Sequence, residues 1–216
     1  MPPTRCAVPG AGGTGAASRP RLVLLRHGEA EAEGVDHQRR LTPAGVSSVR
    51  ALARALADEV GVSPFLVLCS DTVRSRETWD TLVSERPSLG GGDSAAARPP
   101  VVRHLSSLYT VACLDGETSP HLVDLLRSSD LPVPADGRHR GGCVLCIGHN
   151  RGWEEAASWL AGVPVSLSPA SAAVLDAADA QADWAGVLGA TAEAAVTHQK
   201  QAGRLADTAW VLRAVV

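Results

Sequence analysis

Lysine is nearly missing from this chain: of its 20 basic residues only Lys200 is one, and the other 19 are arginines. Aromatic residues are scarce too, at 3%, with a single Phe and a single Tyr. No stretch approaches the ~18 consecutive apolar residues of a membrane-spanning helix, which excludes one. Neither sign of charge dominates. A formal net charge of −3 gives no electrostatic reason to expect a nucleic acid or an anionic membrane as partner. The cysteines (Cys6, Cys69, Cys113, Cys143, Cys146) are few, odd in number and scattered. That argues against a disulfide framework and for a reducing compartment.

What is present is ordinary in bulk. At 45% hydrophobic and 20% charged, 216 residues suit one soluble α/β-sized domain. Alanine reaches 35 residues, and GC-rich coding accounts for that excess and for the arginines together. An arginine therefore carries meaning only where a motif singles it out. Cys143 and Cys146 form a C-x-x-C, a spacing known from redox and zinc sites, but they lie in the apolar run Gly142-Cys143-Val144-Leu145-Cys146-Ile147-Gly148. On a strand an odd separation sends two side chains to opposite faces, so no metal is expected there.

Residues 1–20 are rich in Pro, Gly, Ala, Ser and Thr, contain no acid and lack the apolar core of a secretory signal. They read as a disordered leader, with an organelle transit peptide as the alternative and the cytoplasm as the expected address. Residues 21–216 read as a single domain.

Leu22-Val23-Leu24-Leu25 is a short apolar run suited to a buried strand. Thr42-Pro43 supplies an N-cap and a first-turn proline, and Val46, Val49, Ala53, Leu56 and Val60 form one helical stripe that Gly61 ends. Strands are predicted again at Phe65 to Cys69, from Val101, at Cys143 to Ile147, at Ala172 to Leu175 and at Trp210 to Val215. Helices are predicted at Val73 to Leu82, from Ser119-Pro120 to Leu126 and at Trp153 to Leu160. Residues 84–100 and 128–142 read as loops, and 176–208 as Ala-rich and helical. Strands alternating with helices imply a largely parallel sheet covered on both faces.

In such sheets ligands bind beyond the carboxyl ends of the strands. Arg26-His27-Gly28-Glu29 follows the first run, Ser70 to Thr78 the second, and Gly148-His149-Asn150 the fourth. Each alone is weak, because a strand-end histidine is more often structural. Together they deliver two histidines and at least two arginines to one rim. Phosphoryl transfer needs such a set: arginine forks match phosphate oxygens, and a neutral imidazole attacks phosphorus. Gly28 lets the backbone approach closely.

These motifs, L-x-x-R-H-G-E-A, R-x-L-T-x-x-G, S-x-x-x-R-x-x-E-T and G-H-N in that order, resemble the histidine phosphatase superfamily, which includes the phosphoglycerate mutases. The compact length, the segment Arg40 to Gly45, the pair Leu108-Tyr109 and the stretch Ser168 to Leu175 are most similar to SixA-type phosphohistidine phosphatases. The resemblance implies a three-layer α/β/α sandwich with a mostly parallel central sheet and no cofactor or metal. It implies His27 as the nucleophile, Arg26 and Arg74 as clamps and His149 completing the pocket, with Gly28, Arg26, Arg74 and His149 binding substrate. That substrate would be a phosphorylated protein or a small phosphorylated molecule. His27 would be neutral, its second nitrogen donating to a backbone carbonyl, and activity would fall in acid.

Three positions depart from the family pattern: Asp71 where Pro is usual, Ser75 for Ala and Arg151 for Pro. Asp71 is expected to point away from the pocket or to pair with Arg76, and Arg151 to sit in solvent. Glu77 and Thr78 are expected to serve helix structure, while Glu29 is equally open to a site role or none. The glutamate that mutase relatives carry after the third strand is missing from Arg103-His104-Leu105-Ser106-Ser107, with Asp36 and His104 as the remote substitutes. That loss favours an easily protonated leaving group such as phosphohistidine. A phosphate-binding module without catalysis is the non-enzyme alternative.

Overall fold

The computed structural model describes residues 19–92, 98–112, 114, 118–128, 142–198 and 209–216. Most of the leader, most of the loop 128–142 and the end of the Ala-rich region lie outside them. The described chain begins with strand β1 (Pro20–Arg26), then helix α1 (Pro43–Arg54), whose last turn loosens through Ala55–Glu59. Strand β2 (Pro64–Ser70), helix α2 (Val73–Glu85), strand β3 (Val101–Leu105), the short helix α3 (Ser107–Val111) and helix α4 (Thr118–Ser128) follow. The order closes with β4 (Gly142–Gly148), α5 (Gly152–Ala161), β5 (Ala172–Ala177), α6 (Trp184–His198) and β6 (Trp210–Val215).

The strands form one sheet in the order β3-β2-β4-β1-β5-β6. The first four of that order run parallel, and β5 is antiparallel to both β1 and β6. The sheet is thus mostly parallel, as predicted. Its central strands are apolar on both faces because both faces are covered. Leu22, Leu24, Leu68, Val144 and Cys146 pack under α4, α5 and α6, while Val23, Leu25, Val67, Leu145 and Ile147 pack under α1 and α2. The fold is a three-layer α/β/α sandwich. Cys143 and Cys146 fall into opposite layers, both buried, and burial pushes the Cys143 thiol up to about 12.

Helix α1 starts as its sequence dictates: Pro43 opens it, and Thr42 Oγ1 accepts the Gly45 N–H at 2.9 Å. Residues 84–100 are not entirely loop. α2 runs on to Glu85, whose carboxylate pairs with Arg54 of α1 at 2.7 Å, and Leu89 is fully buried. The short helix α3 carries too few residues to show a helical stripe.

Strand register positions the site. β1 pairs with β4 so that Arg26 lies opposite Gly148. The next residue on each strand is a histidine, and the His27 N–H donates to the Gly148 carbonyl at 3.0 Å. Ser70 closes β2 on the other side of β4, and α2 begins three residues later.

Candidate active site

His27 is held in one tautomer. Its Nδ1 lies 2.7 Å from the carbonyl of Gly28, so Nδ1 carries the proton and donates there. The lone pair of Nε2 is left on the pocket side, where Arg74 Nε donates to it at 3.2 Å. Burial lowers the His27 pKa to about 4, with the charges of Arg74, Arg26 and Arg39 adding to the effect and the Gly28 bond opposing it. The imidazole is therefore neutral over the whole physiological range.

Gly28 is required by space. A Cβ there would stand 2.7 Å from Val49 Cγ2 and 3.2 Å from the Gly45 carbonyl. Its N–H donates to Thr78 Oγ1 at 3.1 Å, and that hydroxyl donates to the Arg74 carbonyl at 2.7 Å. Glu77 accepts from the Leu41 N–H at 2.8 Å and from Arg40 at 2.6 Å. Glu77 and Thr78 do more than serve their helix: they fasten the loop after β1 and the Arg40–Gly45 segment to α2. Glu29 is exposed, and its backbone carbonyl receives the Thr42 N–H.

Arg74 occupies the first turn of α2 and is 4% exposed. Besides His27 it reaches His149, whose Nδ1 lies 3.4 Å from its terminal nitrogen. It also reaches Asp36, through the backbone carbonyl and through Oδ2 at 3.0 Å. His149 in turn has Nε2 2.8 Å from Ser70 Oγ, and its ring stands edge-on to His27 at 5.0 Å and to Tyr109 at 5.3 Å. Burial, followed by the charges of His27 and Arg74, lowers its pKa to about 3.

The four predicted residues are not equivalent in place. His27, Arg74 and His149 meet directly. Arg26 stands at the flank, one of its terminal nitrogens donating to the Leu167 carbonyl at 2.7 Å while its buried Nε has no partner. Its charge nevertheless reaches His27, whose pKa it helps to lower.

The sequence offered Asp36 and Tyr109 only separately, and gave no sign that they meet in an outer wall. Asp36 accepts from Arg74, from Arg39 and from the Tyr109 hydroxyl at 2.8 Å. Burial opposes its charge, yet those hydrogen bonds and the Arg74 charge hold its carboxyl well below the usual range. A carboxylate so held is a poor proton donor, which argues against it as a substitute acid. His104 is exposed on β3, in register with Cys69, and takes no part in the cluster. Asp71 does not pair with Arg76: its Oδ1 lies 3.0 Å from His37 Nε2. Ser75 receives a hydrogen bond from Thr72 Oγ1 at 3.0 Å, which accommodates its hydroxyl in a buried position. Arg151 is exposed with φ of 61°, a value closed to proline. Among the described residues no group of three or more His, Cys, Asp or Glu could hold a metal, and no helix is long and apolar enough to cross a membrane.

A buried arginine and two neutral histidines, with a second arginine at the flank, gather at the carboxyl rim of a mostly parallel sheet in an α/β protein and form its candidate active site. Residues 22–88, about a third of the chain, match the model of the histidine phosphatase superfamily (branch 1). A chloroplastic protein of Arabidopsis thaliana is 34% identical over 160 residues, 73% of this chain and 66% of that one. A shikimate kinase of Oleidesulfovibrio alaskensis is 36% identical over 101 residues, 44% of this chain and 55% of that enzyme. The chain thus spans between about half and two thirds of these relatives. The single lysine, Lys200, follows Gln199, so the chain has no G-x-x-x-x-G-K-[ST] nucleotide loop of its own. In fold it is similar to the structure of a protein from Nakamurella multipartitia named "putative phosphohistidine phosphatase SixA", with a TM-score of 0.59 and 22% identity over 94% of this chain and 98% of that one.

Proposed function

We propose that this protein, as a single domain over residues 21–216, hydrolyses a phosphoryl group through a covalent intermediate on His27. One observation carries the reading: the Gly28 carbonyl fixes the proton on Nδ1, leaving the Nε2 lone pair beside the Arg74 guanidinium. Nε2 attacks phosphorus and the leaving group departs with the bonding pair. Arg74 and Arg26 neutralise the charge on the equatorial oxygens. Water then attacks the phosphohistidine, the N–P bond breaks, and the pair returns to Nε2. His149 lines the oxygens. To donate from Nδ1 it takes the tautomer protonated there, with Nε2 deprotonated and accepting from the Ser70 hydroxyl. No metal or cofactor enters this scheme.

For substrate, a phosphohistidine protein is the first proposal. The stretch after β3 holds no carboxylate, and the relative in fold is named for that activity. A small phosphomonoester is the second, favoured by the His37–Asp71 pair at the pocket's outer wall. We place the protein in the cytoplasm. Import into an organelle is the alternative, supported by the acid-free segment 1–20 and the chloroplastic relative.

The test is acid-labile labelling by a phosphoryl donor together with turnover of para-nitrophenyl phosphate. Wild type is expected to label and turn over, and His27→Ala to do neither while keeping its circular dichroism spectrum. A fully active His27→Ala refutes the nucleophile. A wild type that neither labels nor turns over is a binding module.

A further inference from the structure

From the geometry we infer that His37, backed by Asp71, is the proton donor to the leaving group, and that the enzyme accepts alkyl phosphomonoesters as well as phosphohistidine. This rests on His27 as nucleophile.

An alkyl ester demands an acid. As the P–O bond breaks, the oxygen leaves with the electron pair and needs a proton, unlike a nitrophenolate, which is stable as an anion. In-line attack puts the leaving oxygen on the side of phosphorus opposite Nε2 of His27, and we take that side to be the outer wall. The groups there are Asp36, Arg39, His37 and Tyr109. Asp36 is bound as a carboxylate by Arg74, Arg39 and Tyr109. Tyr109 already gives its proton to Asp36, and arginine does not release one. His37 is left.

Its setting suits the role. His37 directly follows Asp36, the residue that Arg74 grips by both carbonyl and carboxylate, so the short helix Asp36–Gln38 is anchored to the catalytic arginine. The ring stands edge-on to Tyr109 at 5.5 Å, and Tyr109 stands edge-on to His149 at 5.3 Å, which continues the wall down to His27. Its side chain is 43% exposed, open to a departing alcohol and an entering water. Asp71 Oδ1, 3.0 Å from Nε2, orients the imidazole. Two departures thereby acquire one explanation: Asp71 and His37 together supply the acid that is missing after β3.

The steps balance. The imidazolium of His37 gives the proton on its second nitrogen to the leaving alkoxide as Nε2 of His27 bonds to phosphorus. Neutral His37 then takes a proton from the attacking water as the N–P bond breaks. It ends protonated again, with phosphate released and His27 restored.

The experiment measures kcat/KM for para-nitrophenyl phosphate, phenyl phosphate and an alkyl phosphate (a phosphoserine peptide) with wild type, His37→Gln and Asp71→Asn. Wild type is expected to turn over all three. In His37→Gln the ratio of alkyl to nitrophenyl ester kcat/KM should fall by about 10²-fold. Asp71→Asn should lower that ratio in the same direction but less. An equal loss on all three esters overturns the proposal, since it means a phosphate contact or a structural role. So does an unchanged ratio, or a wild type inert toward the alkyl ester. Failure of the His27 mechanism is distinguishable: wild type would then form no acid-labile label and would not cleave para-nitrophenyl phosphate.

Discussion

Two arginine–carboxylate pairs stand at opposite rims of one sheet, and they differ in what is left over. At the amino end of β1, Arg21 lies in register with Asp176 and holds both of its oxygens, at 2.7 and 3.1 Å, while a third N–H goes to the Val60 carbonyl at 3.0 Å. The carboxylate raises the Arg21 pKa, and every group is satisfied. At the carboxyl end, Arg74 divides its donors among Asp36 and two neutral histidines, and Arg26 keeps a buried Nε without a partner. The first arrangement is finished. The second concentrates positive charge where an incoming anion improves the bonding, which is the electrostatic signature of a site.

That contrast can be broken most severely at Arg74. Arg74→Ala is expected to lower kcat/KM by about 10²–10³-fold, the usual cost of one charged transition-state donor. Its Tm should change less than that of the partner variant below, because Asp36 keeps Arg39 and Tyr109. Steady-state kinetics and thermal melts check both.

Proton uptake sharpens the contrast further. With the His27 pKa lowered to about 4, kcat/KM should hold down to about pH 4 and fall tenfold per unit below it, once the substrate's own ionisation near ~6 is allowed for. Arg74→Ala should move that limb upward, since its charge is one of the causes, whereas Arg21→Ala should leave it in place. Stability follows a matching sign. The unfolded chain protonates its histidines near ~6.5, while folded His27 and His149 resist to about 4 and about 3. The unfolded state thus binds more protons between those limits, and stability should decline as pH falls through that window. A pH series of urea melts that stays flat from 6.5 to 4 would contradict both values.

The smallest effect on catalysis belongs to the finished pair. Arg21→Ala leaves Asp176 without either side-chain bond and should cost about 2 kcal/mol, about 4–8 °C in Tm. Turnover of para-nitrophenyl phosphate should be retained. A large loss of activity there would show that the two rims are coupled.

Much of this was legible in the sequence, because the informative features are local. Short apolar runs, Thr42-Pro43 and strand-end motifs each depend on neighbours within a turn, so strands, the α1 start and the rim carrying His27 and His149 could be placed. The outer wall could not. Asp36 and His37, Asp71 and Tyr109 come from three separate stretches, and nothing in their spacing signals that a hydrogen-bond network joins them. Asp71 seemed an isolated misfit because its partner lies 34 residues away. Thr78 looked like a helix residue because its bond to Gly28 spans 50 residues.

Residue order alone therefore determined the class of fold, the rim and the chemistry brought to it, since periodicity and motif position are written along the chain. Tertiary structure decided which arginines are spent and which remain available, and which carboxylate stays charged. It set the tautomer of His27 and the neutrality of both histidines. Those properties arise from burial and from partners that meet only when distant strands fall into register, and codon bias had hidden the difference between one arginine and another.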